Sequence, residues 1–326
     1  MWREEAAAFG EVSYDVLGSS WVRVPGTREG PLLAIVGHID EIALVVTHAG
    51  DDGLIAVRQL GGFDAHVLLG QRLDVLAREG PIPAVVGARK QKRKRGEERK
   101  PLEFDDLYLD IGAKNGEEVR SVVRVGDAAV IAGAPIDLRN NRIASRALDN
   151  RLGSYVALEV ARRVAEEGGA PGDVAGLAVV QEEVGDFAGA RTTVFALEPT
   201  VALAVDVTGA TDIPDGDPKI DGEAKLGGGP IVNRGSTINP KVFELLVETA
   251  EAEGIRYTVN VSAGDTHTDM DAAYTSRAGI ATGLISLATR YIHTPGEVVS
   301  LDDVEATVQL VAAFAQRLEP GLDFTR

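Results

Sequence analysis

The chain has 326 residues, 44% of them hydrophobic and 25% charged, with a formal net charge of −17. That composition supports a sizeable buried core and excludes disorder, collagen and disulfide scaffolds. With 33 basic against 50 acidic residues and no cysteine, the molecule as a whole repels nucleic acid and anionic lipid. Thiolate metal sites and a cysteine nucleophile are likewise ruled out, so any metal must be held by His, Asp and Glu.

The longest apolar runs, such as Ile280 to Leu287, fall far short of the roughly 18 residues a spanning helix needs, and the start Met1-Trp2-Arg3-Glu4-Glu5 has no apolar stretch of the signal-peptide kind. The expectation is a cytoplasmic protein without nucleic-acid or membrane partners. Ala6 to Val24 reads as the end of a helix followed by extended chain, and Pro31 to Val36, bounded by Gly30 and Gly37, predicts a buried strand. From about Glu41 to Pro135 short Val/Ile/Leu stretches alternate with Gly and Asp. Those at Ile42–Thr47, Leu54–Leu60, Arg72–Ala77, Ala84–Gly87 and Ala128–Ala132 predict a small all-β domain, a barrel.

From Asp149 the rhythm becomes helix, strand, helix, strand. Helices are predicted from Asn150 to Glu167, Pro240 to Gly254 and Leu301 to Leu318, with strands at Val174–Val180, Val201–Val207 and Ile280–Leu287. Such alternation implies an α/β fold, a mostly parallel sheet covered by helices. About 110 residues separate His38 from Asp149, far more than a crossover connection needs. Residues 1–40 and 136–326 are therefore expected to form one discontinuous domain, with 41–135 inserted into it. The run Arg89 to Lys100, eight basic residues in twelve, reads as a solvated loop of the insertion.

Residue types suited to metal ligation recur just past the ends of these strands. His38 and Asp40 follow the first; Glu182 and Glu183 follow Val174–Val180; Asp206 closes Val201–Val207; His293 follows Ile280–Leu287. In an open α/β sheet that edge is where ligands bind. Asp149 falls where the next helix needs its N-cap, and capping alone would account for it unless other ligands converge on it. Two imidazoles and three carboxylates are what a pair of divalent ions about 3.5–4 Å apart requires, with one carboxylate, here assigned to Asp149, shared between them. Asp40, two residues from His38 on an extended chain, can hold the ring nitrogen that the metal leaves free. Adjacent side chains diverge, so Glu183 is assigned to metal and Glu182 to acid–base work.

Gly37-His38-Ile-Asp40-Glu41-Ile42, Ala147-Leu-Asp149-Asn-Arg151, Gln181-Glu182-Glu183-Val-Gly185, Ala204-Val-Asp206-Val-Thr208 and Arg290-Tyr-Ile-His293-Thr-Pro-Gly-Glu-Val-Val299 together resemble the motif series of the tetrahedral aminopeptidases, the glutamyl aminopeptidase and cellulase-M group. Asp106 to Ala113 is similar to that family's inserted domain, and Thr268-Asp269 to its Thr-Asp pair near the site. The resemblance spans nearly the whole chain. It implies a metallopeptidase domain carrying an inserted β barrel, with His38 and Asp206 on one metal, Glu183 and His293 on the other, Asp149 on both, Glu182 as base and Asp40 behind His38. The metals would be two Zn²⁺ or Co²⁺ ions, or Mn²⁺. The substrates would be peptides with a free N-terminus, cleaved by a metal-bridging water, and the chains would assemble into a homo-oligomer, a dodecamer in most of the family.

Family members normally carry about one more helix and loop ahead of what is Trp2 here. His267 stands where the family more often has glycine, and it is read as a surface-loop residue; His48 and His66, in the insertion, read as structural or surface residues. Two other functions compete with aminopeptidase action. One is a two-metal N-acyl amino acid deacylase or carboxypeptidase, whose inserted domain would be an α/β lid rather than a barrel. The other is an inactive binding scaffold, against which every proposed ligand and the base are present.

Overall fold

The computed structural model describes residues 1–89, 100–214 and 216–326. The basic run of residues 89–100 falls almost wholly outside the described residues. The chain divides into two compact units, one of residues 1–40, 136–292 and 297–326, the other of residues 41–135 together with His293–Gly296.

The first unit is built on a sheet of eight strands among the described residues. In order across the sheet they are Glu11–Tyr14, Ser20–Val24, Val174–Val179, Leu33–His38, Val201–Gly209, Ala281–Thr289, Ile231–Gly235 and Thr258–Ser262. The four central strands, from Val174–Val179 to Ala281–Thr289, run parallel, and antiparallel pairing appears on both flanks. The central strands are buried on both faces, which is why they read as unbroken apolar runs rather than alternating ones. Leu33 and Ile35 pack on one face with Val156, Val160 and Val164 of helix Leu148–Glu166 and with Val304, Val308 and Val311 of helix Leu301–Gln316. Ala34 and Val36 point the opposite way, into a core with Leu177, Val194 and the Ala272–Ala273 pair. A three-stranded sheet of Ile136–Leu138, Arg142–Ser145 and Glu297–Ser300 completes the unit.

The second unit is a closed barrel of Ala43–Ala49, Leu54–Leu60, Leu107–Asp110, Gly80–Ala88, Arg72–Ala77 and Ala128–Ile131, with every neighbouring pair antiparallel. Its interior is filled by Leu44, Ile55, Leu73, Val75 and Leu109. Closure leaves no free strand edge and needs no helical layer, which accounts for the helix-poor sequence between the two α/β stretches.

Candidate metal centre

The site is assembled at the carboxyl ends of the central strands. His38 is the last residue of its strand and pairs in register with Val179, after which the chain turns through Glu182 and Glu183. The register of the first strand with Val201–Gly209 couples Leu33 to Val201 and Val36 to Ala204; carried two residues on, it sets His38 level with Asp206. Both continue the side-chain parity of Ala34, Val36 and Ala202, and so face the core that Ala272 and Ala273 line.

Asp149 comes from the neighbouring helix, brought close by two glycines. A Cβ on Gly37 would lie 2.2 Å from the Gly153 carbonyl carbon, and one on Gly153 would lie 2.2 Å from the Val205 carbonyl oxygen. Only the absence of side chains lets helix and sheet approach so closely there. Ser154 Oγ fastens the contact by donating to the His38 carbonyl at 2.7 Å. Capping of this helix falls to Asn150, whose Oδ1 accepts from the Gly153 N–H at 2.8 Å while its Nδ2 donates to the Val205 carbonyl. Asp149 itself has non-helical angles, φ −77° and ψ 106°, so its carboxylate is released from the capping role that its position in the sequence suggested.

The buried His38 ring presents two different faces. Its Nδ1 lies 3.3 Å from the Asp40 carbonyl oxygen and 3.5 Å from Asp40 Oδ1; since a carbonyl only accepts, Nδ1 carries the proton. Its Nε2 lies 3.2 Å from Asp149 Oδ1, 3.7 Å from Glu182 Oε2 and 4.0 Å from Asp206 Oδ1. Asp40 also accepts from the backbone N–H groups of Glu182 and Glu183, each at 3.3 Å, and so ties the glutamate turn to the histidine. The Asp149 N–H donates to Glu297 Oε2 at 3.0 Å, and Glu297 is buried on its strand.

Two overlapping groups of potential ligand atoms result, His38 with Glu182 and Asp206, and His38 with Asp149 and Glu183, each set lying within 4.8 Å. Both glutamates are therefore within reach of a cation held beside His38. His293 groups with the second unit, where a Cβ on Gly62 would lie 2.9 Å from its Nδ1. His267, with φ 55°, is exposed, and its backbone N–H donates to Asp271. His48 and His66 are exposed as well.

So many carboxylates around one imidazole distort its proton affinity and their own. Burial pushes the His38 imidazole down, but hydrogen bonds to Asp149 and Asp40 and the charges of Asp206 and Asp269 outweigh it and hold it well above its ordinary value. Burial, with Asp149, Glu182 and Asp269 adding repulsion, lifts Asp206 well above the usual carboxylate range, although the charge of His38 pulls against it. Burial likewise raises Asp269 to about 8. A negatively charged, desolvated pocket of His and carboxylate oxygens suits divalent cations of the Zn²⁺, Co²⁺ or Mn²⁺ kind, whose charge would relieve this repulsion.

The roles of Glu297 and Asn150 were missed from sequence. A buried acid in an apolar strand, Glu297-Val-Val, was the available signal for the first. The second depends on a cap shifted by one residue, which side-chain type alone does not reveal.

A helix-covered α/β sheet carrying this cluster, in a chain with a closed antiparallel barrel, is the design of a metal-dependent aminopeptidase, and known proteins bear it out. The sequence profile of the M42 glutamyl aminopeptidases matches residues 18–310. The lysyl aminopeptidase of Pyrococcus furiosus is 33% identical over 97% of this chain and 89% of its own length. A TET aminopeptidase structure from a marine-sediment archaeon of the Thaumarchaeota superposes with a TM-score of 0.91 at 32% identity, covering 98% of this chain and 90% of that one. The Pyrococcus horikoshii TET1 peptidase, which can assemble into a tetrahedron or a large octahedral shell, gives 0.84 at 28% identity, covering 97% and 92%. The chain belongs to the M42 glutamyl aminopeptidase family, hydrolases that act on peptides and depend on metal.

Proposed function

We propose that this aminopeptidase works with two divalent cations, Zn²⁺ or Co²⁺ or else Mn²⁺. His38 and Asp206 would hold one, Glu183 and His293 the other, and Asp149 both. The observation that carries the reading is the ring of Asp149, Glu182 and Asp206 oxygens within 4.0 Å of His38 Nε2, with Asp40 on the opposite nitrogen. When bound, such ions polarise the scissile carbonyl and bring the pKa of water toward neutrality.

The chain's own part is positioning and proton transfer. Glu182 takes a proton from the attacking water and delivers it to the leaving amine, a role worth about 10²–10⁴-fold in rate. Asp40 fixes the His38 tautomer and the direction of the glutamate turn. The substrates are peptides with a free α-amino group. Similarity to the shell-forming TET1 peptidase supports a large homo-oligomer; we assign a dodecamer, acting in the cytoplasm.

The test uses metal-stripped protein with Zn²⁺, Co²⁺ or Mn²⁺ added back, and one peptide offered with a free or an acetylated N-terminus. Cleavage of the free peptide alone, and only with metal, is expected. Turnover of the acetylated form would point instead to a deacylase or carboxypeptidase. Glu182→Gln should retain two equivalents of metal and lose about 10²–10⁴-fold in kcat; near-parental turnover would remove Glu182 from its role.

A further inference from the structure

One ionisable group close to the centre has no part in the ligand set. Asp269 is 1% exposed, and neither of its carboxylate oxygens has a hydrogen-bond partner among the described residues. It stands at the start of helix Met270–Ala273, where an aspartate ordinarily caps, yet its side chain makes no capping hydrogen bond. Along the chain it lies between the buried Thr268 and Met270, with Ala272 and Ala273 also buried and Asp271 occupied by the Thr266 and His267 N–H groups. The backbone is held firmly, with the Thr266 and Thr268 hydroxyls joined at 2.9 Å and Thr268 Oγ1 accepting from the Met270 N–H.

The short helix covers the same sheet face toward which His38 and Asp206 point. The charge of Asp269 is felt at His38 and Asp206, and it feels those of His38, Glu182 and Asp40 in return. Neither set of close-set ligand atoms includes it.

Burying a carboxylate with no donor to receive it destabilises a fold, and a neutral group of the same shape would serve packing better. A local rule broken in this way, beside a cluster of ligands, marks a functional demand. We propose that Asp269 is a positioning residue of the metal centre, a buried carboxylate on the sheet face of His38 and Asp206 whose negative charge tightens cation binding and which is retained at the expense of the metal-free fold. The inference rests on the two-cation reading.

Metal-stripped parent and Asp269→Asn should be titrated with Co²⁺ by calorimetry, and their metal-free Tm compared at a pH near 8. The expected result is binding about 10- to 100-fold weaker in the variant, the range typical of groups just outside the ligands. Its metal-free Tm should be equal or higher, and kcat should fall with KM kept. Unchanged Co²⁺ affinity would overturn the inference, as would a lower metal-free Tm or failure to fold, since either would make Asp269 a structural residue. Asp269→Ser, smaller and also uncharged, should weaken Co²⁺ binding in the same way. If the parent itself binds fewer than two Co²⁺ ions, the two-cation reading fails first, and that outcome is distinct from equal binding of two ions by parent and variant.

Discussion

At the residue scale, the site is defined by an excess of buried negative charge. His38, Asp206 and Asp269 all bind protons more tightly in the metal-free folded chain than their ordinary values imply. A raised folded pKa gives stability that is complete below the unfolded value and is lost as pH rises through the folded one. For Asp269 that window opens at the ordinary 3.8 and closes at about 8. The metal-free protein should therefore lose Tm as pH is raised from about 5 to about 8, and added Co²⁺ should restore it. Differential scanning calorimetry across that range checks this; a Tm that holds or climbs without metal would contradict it. The residue types were legible in the sequence, since His38, Asp40, Asp149, Glu182, Glu183 and Asp206 follow predicted strands or open a predicted helix. Their distances were not, because each comes from a different element.

At the element scale, the closest contact of the site is glycine on glycine. Gly37 and Gly153 let the helix carrying Asp149 lie against the strand carrying His38, and Gly153 also sits directly beneath the Val205 carbonyl. In Gly153→Ala the new methyl meets the Val205 carbonyl oxygen on one side and the Asn150 side-chain amide on the other, so either the helix moves away or the sheet bends. Overpacking of this kind costs about 1–3 kcal/mol. The shift should also draw Asp149 away from His38, so urea unfolding and Co²⁺ affinity are both expected to weaken. A variant as stable as the parent, with equal metal affinity, would show that the contact can relax. Within a single segment the sequence shows Gly153 only as a glycine inside a helical pattern. Its purpose becomes visible only when strand and helix are set together.

The antiparallel flanks of the main sheet follow the same logic. Strands Ile231–Gly235 and Thr258–Ser262 are short, and the second alternates between half-buried and exposed residues. Their periodicity is therefore weak, whereas the doubly buried central strands announce themselves as apolar runs.

At the scale of the whole molecule, the closed barrel decides between hydrolase types. An α/β lid was the alternative for residues 41–135, and six antiparallel strands around Leu44, Ile55, Leu73 and Leu109 stand there instead. Similarity to a shell-forming peptidase leads to the expectation that this protein elutes as a large homo-oligomer rather than as a 34.4 kDa monomer. Light scattering coupled to size exclusion measures this directly; a monomer or dimer would reject the dodecamer. Because the chain carries a net charge of −17, repulsion between like-charged copies should make assembly weaker at low salt than at physiological salt.

The sequence by itself determined the doubly buried central strands and their covering helices, the all-β character of the inserted segment and the kind of chemistry available, because apolar periodicity, turn residues and the His/Asp/Glu inventory are local properties of a chain. Tertiary structure alone decided which nitrogen of His38 meets which carboxylate, that Asn150 rather than Asp149 caps its helix, that Glu297 receives the Asp149 N–H, and that Asp269 is buried with no donor among the described residues. Each of these depends on the register between strands and on how closely a helix can approach them. That spacing is fixed by packing between segments more than a hundred residues apart, and no window of the sequence contains both sides of it.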